Sequence, residues 1–81
     1  MVKIHLSRYH AGARMPYINL QITKDGVTRE QKKQIVEEFT ATLVNTLGKK
    51  PEHIHIVIEE VDPDNWGFAG QLTTDWRKNL G

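Results

Sequence analysis

The spacing of apolar residues along this chain changes from two to about four and back to two. From Tyr17 it alternates, with Tyr17, Asn19 and Gln21 on one face and Ile18, Leu20 and Ile22 on the other. That period predicts a half-buried strand. Lys24-Asp25-Gly26 supplies turn chemistry at its end. Thr28 followed by Gln31 matches a capping box and sets the start of a helix. Ile35, Phe39, Leu43 and Leu47 then recur every fourth residue, widened by Val36 and Val44, with Lys32, Lys33, Glu37 and Asn45 on the outer face. This is an amphipathic helix of about five turns. Gly48 stands at its C′ position and Pro51 prevents continuation. From Ile54 to Val61 the alternation returns, Ile54, Ile56 and Ile58 against His55, Val57 and Glu59.

Asp62-Pro63-Asp64-Asn65 reads as a turn. Trp66 to Gly70 mixes aromatics with glycines and is expected to form a short hairpin or irregular segment packed on a neighbour. Leu72 to Trp76 fits a short strand or a helical turn, and Arg77-Lys78 reads as a solvated tail. Strand, helix, strand is a crossover unit, so the fold class is α/β: a β-α-β subunit with parallel strands and one long helix. One helix covers one face only, and a two-stranded sheet is marginal alone. Val57, Trp66 and Phe68 therefore call for cover from another subunit, so the chain is expected to be a homo-oligomer. Residues 1–15 form an amino-terminal extension to a domain over 16–81. Within it Val2, Ile4 and Leu6 alternate with Lys3, His5 and Ser7 and could make an edge strand.

Composition narrows the partners. At 81 residues the chain is one domain. It has no cysteine, which removes disulfides and thiolate metal sites and fits a cytoplasmic setting. The net charge of +1 leaves no footprint for nucleic acid. Lys3, Arg8 and Arg14 meet no acid within residues 1–14, whereas the rest sets eight bases against ten acids. The longest apolar run, Ile56-Val57-Ile58, is too short to cross a membrane, and the first residues lack a signal-peptide core. His53 and His55 have an H-x-H spacing, but no third ligand is evident and no metal is assigned.

The candidate chemistry is at Pro16. A proline opening a strand is ordinary punctuation. As an amino terminus left by removal of Met15, however, it would carry a secondary amine. An exposed α-amino group has a pKa of about 8, and burial beside apolar groups lowers it toward the range of a general base.

Pro16-Tyr17-Ile18-Asn19-Leu20, Glu30-Gln31-Lys32, Ile56-Val57-Ile58-Glu59-Glu60-Val61 and Asn65-Trp66-Gly67-Phe68-Ala69-Gly70, in that order and spacing, resemble the 4-oxalocrotonate tautomerase family. The resemblance runs from Pro16 to about Lys78. It implies a β-α-β subunit that assembles as a hexamer, with a dimer as the alternative. It implies an amino-terminal proline that moves a proton between oxygen and carbon of a small enol or 2-keto acid, without cofactor. Pro16 matches the catalytic proline. Trp66 falls where the family has an aromatic wall. The family's arginine after the first-loop glycine is Val27 here, in a loop one residue longer, and its arginine near the start of the second strand is His55. Lys24 and His55 are the candidate replacements for substrate binding, which disfavours a dicarboxylate and favours a smaller or monocarboxylate enol.

In the chain as written Pro16 is preceded by Met15, and its nitrogen is a non-basic amide. Either translation starts at Met15, for which a ribosome-binding GGAG can be encoded at Gly12-Ala13, or the extension is real. In the second case the protein is a non-catalytic oligomeric binding protein whose site is blocked by residues 1–14.

Overall fold

The structure, a computed structural model, describes residues 1–8 and 15–80, with the side chains of residues 5–8 excepted. The stretch 9–14, which holds the Gly12-Ala13 pair and Arg14, lies outside the described residues. Among the described residues five strands and two α-helices run in the order β1 (Val2–Arg8), β2 (Pro16–Thr23), α1 (Arg29–Leu47), β3 (His55–Val61), β4 (Gly67–Phe68), β5 (Gln71–Leu72) and α2 (Thr73–Lys78). β1, β2 and β3 form one sheet in that order, and β4 pairs with β5. β2 and β3 are parallel, from Tyr17↔His55 to Thr23↔Val61. The β-α-β unit expected from the alternating patterns is therefore present. The edge strand expected from Val2, Ile4 and Leu6 forms as well. It is antiparallel to β2, from Val2↔Ile22 to Arg8↔Pro16.

The ends of α1 are fixed locally. Thr28 Oγ1 accepts from the Gln31 N–H at 3.1 Å, and Gln31 Oε1 accepts from the Thr28 N–H at 2.9 Å. Gly48 stops the helix at φ 65°, a left-handed conformation that glycine adopts without a Cβ penalty, and its N–H donates to the Val44 carbonyl. Among the described residues Leu43 of α1 is buried with Ile18 and Leu20 of β2, and Pro16 at the start of β2 is buried as well.

That core is smaller than the helix stripe predicts. Val36, Leu47 and, on β3, Val57 remain exposed. Two further expectations are corrected. Lys32, read as outer-face, is half-buried on the flank of α1, where its ammonium meets Glu60 of β3 at 2.6 Å. The position is close enough to the apolar stripe for a long lysine stem to reach back to the sheet. Arg77, read as part of a solvated tail, lies in α2 and forks onto Asp25 with contacts of 2.7 and 2.9 Å.

The segment after β3 resolves both open readings. Trp66 leads into a two-stranded hairpin turned by Ala69 and Gly70, both at positive φ. Leu72 ends β5 and Thr73 begins α2, so strand and helical turn follow one another. α2 brings Trp76 onto Phe68, with ring centroids 5.1 Å apart. Part of the cover for Phe68 thus comes from the same chain, not from a neighbour.

Candidate active site

Pro16 is the first residue of the central strand and is buried. The constraint that forbids proline inside a central strand is met because it stands at the strand's start. Side chains alternate from there. Pro16, Ile18 and Leu20 face α1, while Tyr17, Asn19 and Gln21 face away. Across the parallel ladder His55 sits level with Tyr17. His55 is thus brought to the same sheet end as Pro16, as the shared starting edge of parallel strands requires, on the helix-free face.

A polar row continues along that face. Asn19 Nδ2 donates to the Tyr17 hydroxyl at 3.0 Å and to Glu59 Oε1, and Gln21 Nε2 donates to Glu59 Oε2 at 3.3 Å. The carboxylate of Glu59 is therefore committed to two amides. Asn19 Oδ1 is buried and has no donor among the described residues.

Lys24 and Trp66 are at the other end of the sheet. Lys24 follows β2, and its N–H donates to the Val61 carbonyl at 2.8 Å. The seven-residue advance from Pro16 to Thr23 amounts to about 23 Å. Trp66 lines an open cleft of 390 Å³ with Lys3, Gln21, Val61, Asn65 and Gly67. Its carbonyl accepts from the Thr73 hydroxyl at 2.6 Å and from the Thr73 N–H at 2.8 Å, which fixes the start of α2 beneath it. Within one subunit, then, Pro16 and His55 share one end of the sheet, on opposite faces, and Lys24 and Trp66 lie at the other end.

Sequence reasoning missed one charged group at the Lys24 end. Asp25 accepts the Arg77 fork and a hydrogen bond from Thr23 Oγ1, and the amino group of Met1 lies 3.5 Å from that hydroxyl. The Arg77 hydrogen bond, then that of Thr23, hold the Asp25 carboxyl far below the usual carboxylate range. Asp25 in turn raises Arg77. Among the described residues no cluster of three or more His, Asp or Glu side chains could hold a metal ion.

The comparison with known proteins bears on this arrangement. The family model described as tautomerase enzyme matches residues 16–75, beginning at Pro16 itself. The chain belongs to the 4-oxalocrotonate tautomerase family. A probable tautomerase K2 of Dickeya dadantii is 52% identical over 64 residues, spanning 79% of this chain and 96% of that protein. The crystal structure of YwhB, a homologue of 4-oxalocrotonate tautomerase, is 35% identical with a TM-score of 0.69, covering 74% of this chain and 97% of that one. The solved structure of a fused wild-type 4-oxalocrotonate tautomerase, an asymmetric trimer, matches at 20% identity and TM-score 0.71, over 79% of this chain and 51% of that one, a likeness of fold alone. Membership supports a tautomerase-type, isomerase function. In this family member the first loop presents Lys24, Asp25, Gly26 and Val27, and a guanidinium is nevertheless held at that loop, drawn in by Asp25 from α2.

Proposed function

We propose that this protein is an enol–keto tautomerase whose general base is the secondary amine of Pro16, in a form that begins at that residue. The free amine takes the hydroxyl proton of a small enol, and the resulting ammonium returns a proton to carbon, giving the ketone without cofactor. The observation that carries this reading is the position of Pro16, first in the central strand and first in the family match. His55, one residue further along the adjacent strand in register, is the group proposed to polarise the substrate carbonyl or meet its carboxylate.

Lys24 and Trp66 are proposed to serve the Pro16 site of a neighbouring copy, because about 23 Å of strand separates the two ends of the sheet within one subunit. The working protein is accordingly proposed as a homo-oligomer, a hexamer in preference to a dimer, in the cytoplasm, with residues 16–81 as its domain. No helix among the described residues is long and apolar enough to cross a membrane.

The test compares the full chain with a chain beginning at Pro16 in the ketonisation of phenylenolpyruvate. The shorter chain is expected to be active and the full chain inactive, since an acylated Pro16 nitrogen has no basic lone pair. Equal rates from both, or no rate above buffer from the shorter one, would remove Pro16 from the mechanism. A second reading has its own support: Arg8 of β1 pairs opposite Pro16 and Pro16 is buried. On that reading the full chain is a non-catalytic binding protein with its site covered, and it predicts inactivity of the full chain however the shorter one behaves.

A further inference from the structure

β1 is the element that the tautomerase reading leaves without a role. It runs the length of β2, from Val2↔Ile22 to Arg8↔Pro16, and so occupies the whole edge of β2 that β3 leaves free. Its pattern repeats that of β2. Ile4-His5-Leu6-Ser7 alternates as Ile18-Asn19-Leu20-Gln21 does, and the register sets Ile4 against Leu20. An unpaired strand edge is a template for another strand, and β2 itself has the pattern to fill it. Antiparallel pairing of β2 with β2 of a second copy can set the even-numbered apolar positions Ile18, Leu20 and Ile22 against one another, which satisfies a twofold axis and keeps all of them on one face.

β1 substitutes for such a partner incompletely. It supplies a ladder but no helix. Val2 and Ile4 are left 64% and 54% exposed. Between β1 and α1 runs an apolar groove of 230 Å³ lined by Ile4, Ile18, Phe39, Thr42 and Leu43. A second copy docked through β2 carries its own α1 on the same face of the sheet and gives this groove its opposite wall. We infer that residues 2–8 are a detachable strand that holds the β2 edge and competes there with β2 of a second copy of this chain. Docking of β1 then governs subunit number and the surroundings of Pro16 together. The inference rests on the self-association proposed above and goes beyond it.

The absence of native cysteine permits a direct test. Lys3 and Gln21 are opposed in the ladder and lie on the polar face, within the reach of a disulfide between paired antiparallel strands. Three proteins are compared by sedimentation at equal micromolar concentration: the chain beginning at Pro16, the full chain carrying Lys3→Cys and Gln21→Cys in oxidised form, and the full chain carrying Ile4→Asp. The Pro16 chain is expected to contain twice as many subunits as the oxidised, locked chain, and Ile4→Asp is expected to move the full chain toward the larger number. A locked chain that reaches the subunit number of the Pro16 chain overturns the inference. Should the disulfide fail to form, an Ile4→Asp chain with the mass of the unsubstituted full chain, beside a larger Pro16 chain, overturns it as well. Equal assemblies with an active Pro16 chain sink only this inference. A doubled but inactive Pro16 chain sinks only the catalytic reading, and monomers throughout sink this inference and the proposed self-association.

Discussion

Asp25 and Arg77 join the loop after β2 to α2 through a two-pronged contact, the geometry that makes arginine the stronger partner of a carboxylate. The pair is open to solvent, so it positions the two segments more than it stabilises them. Its pH dependence has a definite sign. The folded pKa of Asp25 is depressed, chiefly by the Arg77 hydrogen bond. The contribution is therefore complete above the unfolded value of about 4 and is lost as the pH falls below it. Denaturation of the native chain and of Asp25→Asn should differ by a constant amount between about pH 5 and 7, and the difference should shrink progressively below about pH 4, vanishing only as the pH falls through the depressed folded value. A difference that persists unchanged in acid would mean that the carboxylate is not what holds α2. At His55 the expectation is catalytic. In the Pro16 chain His55→Ala should lower phenylenolpyruvate ketonisation by roughly a hundred- to a thousandfold, the order seen when one polarising donor is lost. His55→Arg should improve use of a dicarboxylate, because a guanidinium offers a two-pronged fork to a carboxylate that an imidazole does not. An unchanged rate in His55→Ala would return this residue to the role of an ordinary strand histidine.

At the scale of elements, the parts of the fold that depend on neighbours in sequence were the legible ones. The capping box at Thr28, the glycine stop at Gly48 and the two alternating strands are written in short stretches, and the structure has each of them. Thr28→Ala should accordingly lower stability by about 1 kcal/mol, and Gly48→Ala by a similar amount through strain at its left-handed φ. The variants are measured by denaturation at fixed protein concentration, since subunit association contributes to the apparent value. No loss from Thr28→Ala would show that tertiary packing alone sets the helix start. What could not be read were contacts between distant segments. Lys32 and Glu60 are separated by 28 residues, and Asp25 and Arg77 by 52. Nothing in the spacing of either pair announces the meeting, which is why one lysine was assigned to the outer face and one arginine to a tail. The site was legible in halves for the same reason. Parallel strands starting at one edge bring His55 to the sheet end that holds Pro16. The placement of Lys24 and Trp66 depends on which end of the sheet each loop leaves from, and in one subunit both leave from the far end.

As a whole molecule the chain is too open for its length. Its radius of gyration is 15.7 Å, against about 12 Å for a compact domain of this size. The shortfall of buried apolar surface is concentrated on identifiable faces. On the helix-free side of the sheet Val57 is 43% exposed beside the buried, donorless Oδ1 of Asn19. Both features are explained if a second copy seals this face, withdrawing Val57 from water and supplying a donor to Asn19. Val57→Glu tests that assignment with little risk to the subunit's own fold, because the side chain already points away from α1. Enclosing an unpaired carboxylate in an interface costs several kcal/mol. Even about 3 kcal/mol weakens association more than a hundredfold, since each 1.4 kcal/mol is a factor of ten. Light scattering on the Pro16 chain carrying Val57→Glu should therefore give fewer subunits than the unsubstituted Pro16 chain at the same micromolar concentration. Circular dichroism should remain helical, with α1 intact. An unchanged mass would mean that the helix-free face stays in water in the assembly.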